Sequence, residues 1–251
     1  MNFTTEEKFL YQVMKYIYDS KIPINFKGAL VLKACMHELG YKNDIRHTKD
    51  IDATWNFNYL PSEDQLISSL QSILDYNNLC LTVTLTRMYS NKRSAGFEFR
   101  DNNTNELMFT MYIDINRPIC DTKLYDINGI KFNGSSPMQM IADKIASVSS
   151  DKIFRRAKDL LDLFYFSNFF EIDTTVINQT IMKSNRTLGD FDAFFNRTDE
   201  LKHAYDKYKI DEEINKPPFD VVYSSVKNFI LPLIQTEKTE KKKTKKKQQC
   251  K

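Results

Sequence analysis

Two carboxylates one residue apart, Asp50 and Asp52 in the run Arg46-His47-Thr48-Lys49-Asp50-Ile51-Asp52, are the residues of this chain best suited to do chemistry. In an extended segment alternate side chains share a face, so Asp50 and Asp52 stand together while Ile51 turns into the core. Carboxylates held side by side repel each other, and the arrangement makes best sense around a divalent cation. Mg²⁺ is commonly bound through one or two carboxylates plus substrate phosphates. The pattern therefore points to phosphoryl or nucleotidyl transfer. A third carboxylate is expected on the later run Leu107, Phe109, Met111, Ile113 and Ile115, whose opposite face carries Thr110, Tyr112, Asp114 and Asn116. Asp114 is the candidate third metal ligand, able also to draw the proton from an acceptor hydroxyl, with Asp101 and Asp121 at strand ends as its rivals.

The elements that must position these groups are legible from periodicity. Thr4-x-x-Glu7 reads as a capping box, and Phe9, Leu10, Val13, Met14 and Ile17 follow at helical spacing to about Asp19. Pro23 to Phe26 then reads as a short strand, Gly28 as a tight turn, Ala29 to Leu39 as a helix, and Asp50 to Trp55 as the strand bearing the two carboxylates. A helix starts at Ser62-x-x-Gln65. From Leu79 the period changes to two, giving strands over Leu79–Leu85, Gly96–Arg100 after a turn near Asn91, and Leu107–Ile115. A short hairpin around Asn128-Gly129 precedes Ser136-Pro137, a helix N-cap and first helical residue.

Beyond residue 136 every stripe is helical, with Pro217-Pro218 and Pro232 as breakers and helices expected near 173–184, 189–208 and 219–231. The chain thus reads as α+β in class: an α+β domain over 1–135 with a mixed β-sheet flanked by helices, an all-helical domain over 136–235, and a disordered Lys-rich tail over 236–251.

The net charge of +3 hides a split, because Glu237 to Lys251 holds eight Lys against two Glu, leaving the rest at −3. A near-neutral body with a basic tail argues against a folded surface that is wholly a nucleic-acid platform. The four cysteines form no C-x-x-C pair, which suits reduced thiols and a cytoplasmic location. No apolar stretch is long enough to suggest a membrane span. His37, His47 and His203 have neither ligand nor triad spacing and read as surface or boundary residues.

Three segments together resemble the AbiEii/AbiGii abortive-infection toxins, a branch of the nucleotidyltransferase superfamily. They are Phe26-Lys27-Gly28-Ala29-Leu30-Val31-Leu32, the run ending Asp50-Ile51-Asp52, and Pro137 to Ile145 leading to Arg155-Arg156-Ala157-Lys158-Asp159-Leu160-Leu161-Asp162-Leu163. The family pattern is a Gly-Gly or Gly-Ser turn, then R-x-S/T-x-D-I-D, a helix reading K-x-x-A, and R-D-x-x-D-L. Ala29 replaces the usual second Gly or Ser, and Lys158 stands where Arg commonly precedes the Asp. A phosphate-touching hydroxyl is therefore absent at 29, where backbone N–H groups at the helix N-terminus serve instead.

The resemblance implies a nucleotidyltransferase-like N-terminal domain and Mg²⁺ (or Mn²⁺) held by Asp50, Asp52 and Asp114. It implies nucleotide binding at Gly28, Ala29, Thr48 and Lys144, and a catalytic Asp159 that orients Lys144 or the acceptor. From the residues alone, Thr48 shares the face of Asp50 or is an ordinary surface residue. Lys144 is likewise a phosphate contact or a snorkelling surface lysine. Asp159 and Asp162 have helix-surface pairing with Arg155 and Lys158 as their alternative. The expected activity is nucleotide transfer from an NTP to tRNA by a toxin of a type IV toxin–antitoxin pair with a cognate antitoxin. The alternatives are the same fold modifying a protein or small molecule, and a catalytically silent nucleotide-binding module.

Overall fold

The computed structural model describes residues 3–57, 59, 61–88, 94–115, 118–211 and 214–249, with side chains described as far as 234. Asn91, Asn116 and Cys250 lie outside the described residues. The chain divides into two compact units, Met1–Met140 and Ile141–Lys251.

In the first unit α1 (Thr5–Asp19) starts with the expected box, Thr4 Oγ1 accepting from Glu7 N and Glu7 Oε2 accepting from Thr4 N. It buries Leu10, Val13, Met14 and Ile17 along one stripe. Strand β1 (Ile24–Lys27) runs directly into α2 (Gly28–Glu38), and β2 (Asp50–Trp55) returns beside β1. After α3 (Glu63–Tyr76) come β3 (Leu81–Met88), β4 (Ser94–Asp101), β5 (Leu107–Asp114), β6 (Thr122–Ile127) and β7 (Ile130–Ser135).

Among the described residues these form one seven-stranded sheet in the order β3-β4-β5-β2-β1-β7-β6. It is mixed, as expected: β1 is antiparallel to β2 but parallel to β7, and β2 is parallel to β5. β2 is therefore an interior strand with backbone partners on both edges. Ile51, Ala53 and Thr54 are each fully buried. Residues 29–36 of α2 are all buried, so this helix is clamped on every side.

The second unit is helical, as its stripes indicate. The helix α4 (Pro137–Val148) begins in the first unit and ends in the second, where a 3-10 turn (Asp151–Arg155), α5 (Ala157–Ser167) and α6 (Thr174–Lys183) follow. The helix expected over 189–208 is two, α7 (Asp192–Asn196) and α8 (Thr198–Lys207), because Arg197 leaves helical geometry at φ −124°.

The helix expected to stop at Pro232 instead runs on as α9 (Phe219–Gln249), with Pro232 inside it. Pro removes one backbone donor there, and the Lys, Glu and Gln that follow favour helix. The Lys-rich segment, read as a tail without structure, thus has a helical backbone to Gln249. No helix among the described residues is long and apolar enough to cross a membrane.

Candidate functional site

The site is built on the β1–α2 turn and on β2. Gly28 adopts φ +77°, a left-handed conformation that glycine reaches without steric cost. A Cβ there would stand 2.9 Å from Asp52 Cβ and closer still to its carboxylate, so the Asp52 side chain packs against a position that only hydrogen can fill. The N-cap of α2 is Lys27, which makes no side-chain cap, and no acidic residue lies in the first turn. The first-turn N–H groups and the positive end of the helix dipole favour an anion at this terminus. Asp52 is half-buried beside this terminus and Asp50 is exposed at the start of β2. Ala29 is 8% exposed and supplies its amide but no hydroxyl.

On β5, parity places Asp114 on the face of Asp50 and Asp52, yet its register partner is Thr54; Asp52 is opposite Tyr112 and Asp50 opposite Thr110. Asp114 is thus diagonal to Asp52, one pleat beyond it, and its carboxylate is ion-paired with Lys27. Among the described residues no group of three His, Cys, Asp or Glu could hold a metal ion. Of the three carboxylates expected as metal ligands, Asp50 and Asp52 share β2, and Asp114 is paired with Lys27. The residues present fit a divalent cation held by the Asp50/Asp52 pair and completed by substrate phosphates and water.

Thr48 lies two residues before β2. The alternation that would align it with Asp50 starts only at Asp50, and the Thr48 hydroxyl accepts from Asp50 N at 3.4 Å. His47 is a boundary residue, 22% exposed, whose ring reaches into a buried pair: its Nδ1 lies 3.0 Å from Lys33 Nζ and 3.1 Å from Glu7 Oε1, while Lys33 Nζ is 2.6 Å from Glu7 Oε2. Lys33 and Glu7 are 1% and 0% exposed. This cluster ties α1, α2 and the segment entering β2 together. Sequence reasoning missed it because Glu7 was fully explained by its capping box.

In the second unit Lys144 Nζ lies 2.7 Å from Asp159 Oδ1 and 2.6 Å from Asp162 Oδ2, and Arg156 Nε lies 2.6 Å from Asp159 Oδ2. Both aspartates are completely buried. Burial by itself would raise the Asp159 pKa, but Lys144 and Arg156 outweigh it and hold the carboxyl well below the usual carboxylate range. The partners are thus Lys144 from α4 and Arg156 just before α5, not the Arg155 and Lys158 that helical spacing offered.

The architecture, a mixed sheet flanked by helices with a helical second unit, is that of the nucleotidyltransferase-like fold. It is similar to MenT4, a nucleotidyltransferase toxin from Mycobacterium tuberculosis H37Rv, with a TM-score of 0.54 at 15% identity, covering 89% of this chain and 80% of that one. An antigenic nucleotidyltransferase-like protein from Paracoccidioides brasiliensis aligns at a TM-score of 0.43 and 12% identity over 84% of this chain and 97% of its own. No family model and no curated protein matches the chain. The structural likeness is to a fold; the narrower AbiEii/AbiGii resemblance rests on the sequence motifs.

Proposed function

We propose that this protein is a divalent-metal-dependent nucleotidyltransferase that moves a nucleotide from an NTP to an acceptor, with tRNA as the leading acceptor. We further propose that it acts as the toxin of a type IV toxin–antitoxin pair in abortive infection and is restrained by a cognate antitoxin in the cytoplasm. The observation that carries this reading is the close packing of Asp52 on Gly28, which sets a carboxylate pair against a helix N-terminus that its own N-cap residue, Lys27, does not cap. One part suits a cation and the other suits phosphate oxygens, and a metal-bound triphosphate presents both.

When held by Asp50 and Asp52, Mg²⁺ or Mn²⁺ supplies charge neutralisation at the transferring α-phosphoryl group. The α2 amides from Gly28 and Ala29 onward receive the triphosphate oxygens, so that the leaving pyrophosphate is held in line. Asp52 is fixed by its packing on Gly28 and by two neighbouring strands, which limits its rotation during the transfer. Asp50, exposed at the strand end, faces solvent where an acceptor hydroxyl can arrive. A contact of Thr48 with phosphate belongs to the same proposal, as does, within the second unit, the orientation of Lys144 by Asp159.

The test is incubation with each labelled nucleoside triphosphate, Mg²⁺, total tRNA and cell extract. Label in RNA that disappears in Asp50→Asn and Asp52→Asn is the expected result. Label in protein or in a small molecule would move the acceptor, and no transfer of any nucleotide would overturn the reading. Toxicity on expression that survives Asp50→Ala/Asp52→Ala would remove the toxin mechanism.

A further inference from the structure

Resting on the nucleotide-transfer reading, we infer that Lys27 is the cation that receives the triphosphate, and that Asp114 is the counter-ion that positions it. Lys27 is the last residue of β1 and adjoins Gly28, so its Cα sits at the mouth of the α2 N-terminus. Its register partner on β2 is Asp52, while the register partner of Asp114 is Thr54. β1 and β5 flank β2 on opposite edges. The Lys27 side chain therefore spans β2 between Asp52 and Thr54 to reach the Asp114 carboxylate.

Two further observations separate this bridge from an ordinary surface ion pair. Lys27 and Asp114 keep 16% and 20% side-chain exposure, enough for a phosphate to approach from solvent. On the same face Thr54 is fully buried and its Oγ1 has no hydrogen-bond partner. A buried hydroxyl without a protein partner carries a cost that a ligand or ion at this face can offset. An ammonium is a compact, strongly hydrated point charge on a flexible stem and suits phosphate capture. By register Lys27 lies opposite Asp52, so its flexible stem can exchange one carboxylate oxygen for phosphate oxygens without leaving the site. Asp114 then acts through Lys27 and is a positioning residue, not a metal ligand.

The experiment measures Mg²⁺-dependent binding of inorganic tripolyphosphate by calorimetry, together with kcat and KM for nucleotide transfer. Lys27→Met is expected to weaken tripolyphosphate binding and raise KM for the nucleotide by about tenfold or more, with kcat changed much less. Lys27→Arg should restore most of the binding. Asp114→Asn should raise KM by a few-fold and leave the Mg²⁺ concentration at half-activity unchanged. If Lys27→Met lowers the melting temperature, Lys27→Met/Asp114→Leu removes the stranded carboxylate and must show the same binding loss.

Wild-type binding by Lys27→Met, or an Asp114→Asn variant that loses kcat and needs far more Mg²⁺, would overturn the inference. A wild type that transfers nucleotide but binds no tripolyphosphate overturns it and leaves the proposed function standing. Binding through Lys27 without any transfer supports it and removes the proposed function.

Discussion

Replacing Lys33 by Met should destabilise the first unit far more than its position on α2 suggests. The Lys33 ammonium is 2.6 Å from Glu7 Oε2 and 3.0 Å from His47 Nδ1, at 1% exposure. Truncation strands the Glu7 carboxylate at 0% exposure with the His47 ring and the Thr4 amide as its remaining partners. Removing one member of a buried ion pair costs about 3–5 kcal/mol, and the surviving Glu7 partners place this case near ~3 kcal/mol. At roughly 3 °C per kcal/mol for a unit of this size, the melting temperature should fall by about 10 °C.

Removing both charges is different. Lys33→Met/Glu7→Leu leaves no buried charge unpaired and loses chiefly the α1 capping box, about 1 kcal/mol. The assay is a double-mutant cycle by urea unfolding followed by circular dichroism. The expected coupling is ~2 kcal/mol or more. A Lys33→Met cost below about 1 kcal/mol, or strictly additive single mutants, would refute the reasoning. Because His47 belongs to this cluster and lies three residues before Asp50, nucleotide transfer should fall together with stability.

Three other outcomes follow from the structure. Gly28→Ala should cost at least about 1–2 kcal/mol for the left-handed backbone, displace Asp52, and abolish transfer even where the protein stays folded; assays at a temperature well below melting check this. Asp159 has a folded pKa below its unfolded value, so the stability it contributes is present above the ordinary carboxylate pKa and is lost as pH falls below it toward the folded value. Acid titration of the melting temperature should therefore show a steep low-pH limb that flattens in Asp159→Asn, which must also be less stable near neutrality. Burial pushes the Cys35 thiol up to about 12, so iodoacetamide near pH 8 should label exposed Cys80 and Cys120 and spare Cys35 until the protein unfolds, as mass spectrometry can show.

The strand that carries Asp50 and Asp52 was readable because a strand's period of two is strict: Ile51 and Ala53 are buried and Asp50 is not. The same parity put Asp114 on the correct face, but parity does not determine register. Only the assembled sheet shows that Asp114 is opposite Thr54 and not Asp52, and that its carboxylate is ion-paired with Lys27. Lys27 was quoted within a motif and given no role, since a lysine before a glycine has the signature of any exposed turn. Its face, shared with Asn25 by alternation, was the available signal.

The Lys144–Asp159–Asp162–Arg156 cluster was hidden for another reason. Its members come from two helices and the turn between them, and local spacing offered Arg155 and Lys158 as nearer but incorrect partners. The helical reach of α9 was missed because Pro232 was weighted as a terminator against the strong helix formers beyond it.

The central claim is that Asp50 and Asp52 beside Gly28 form a nucleotide-transfer centre. It is tested most directly by incubating purified protein with labelled nucleoside triphosphates, Mg²⁺ and total tRNA, in parallel with Asp50→Asn and Asp52→Asn variants shown to melt like wild type. The expected result is label on RNA with wild type, loss of that label on adding a metal chelator, and at least about a hundredfold less with either variant, on the order expected when a group acting on the transferring phosphoryl is removed. Equal labelling by wild type and the Asp52→Asn variant would contradict it.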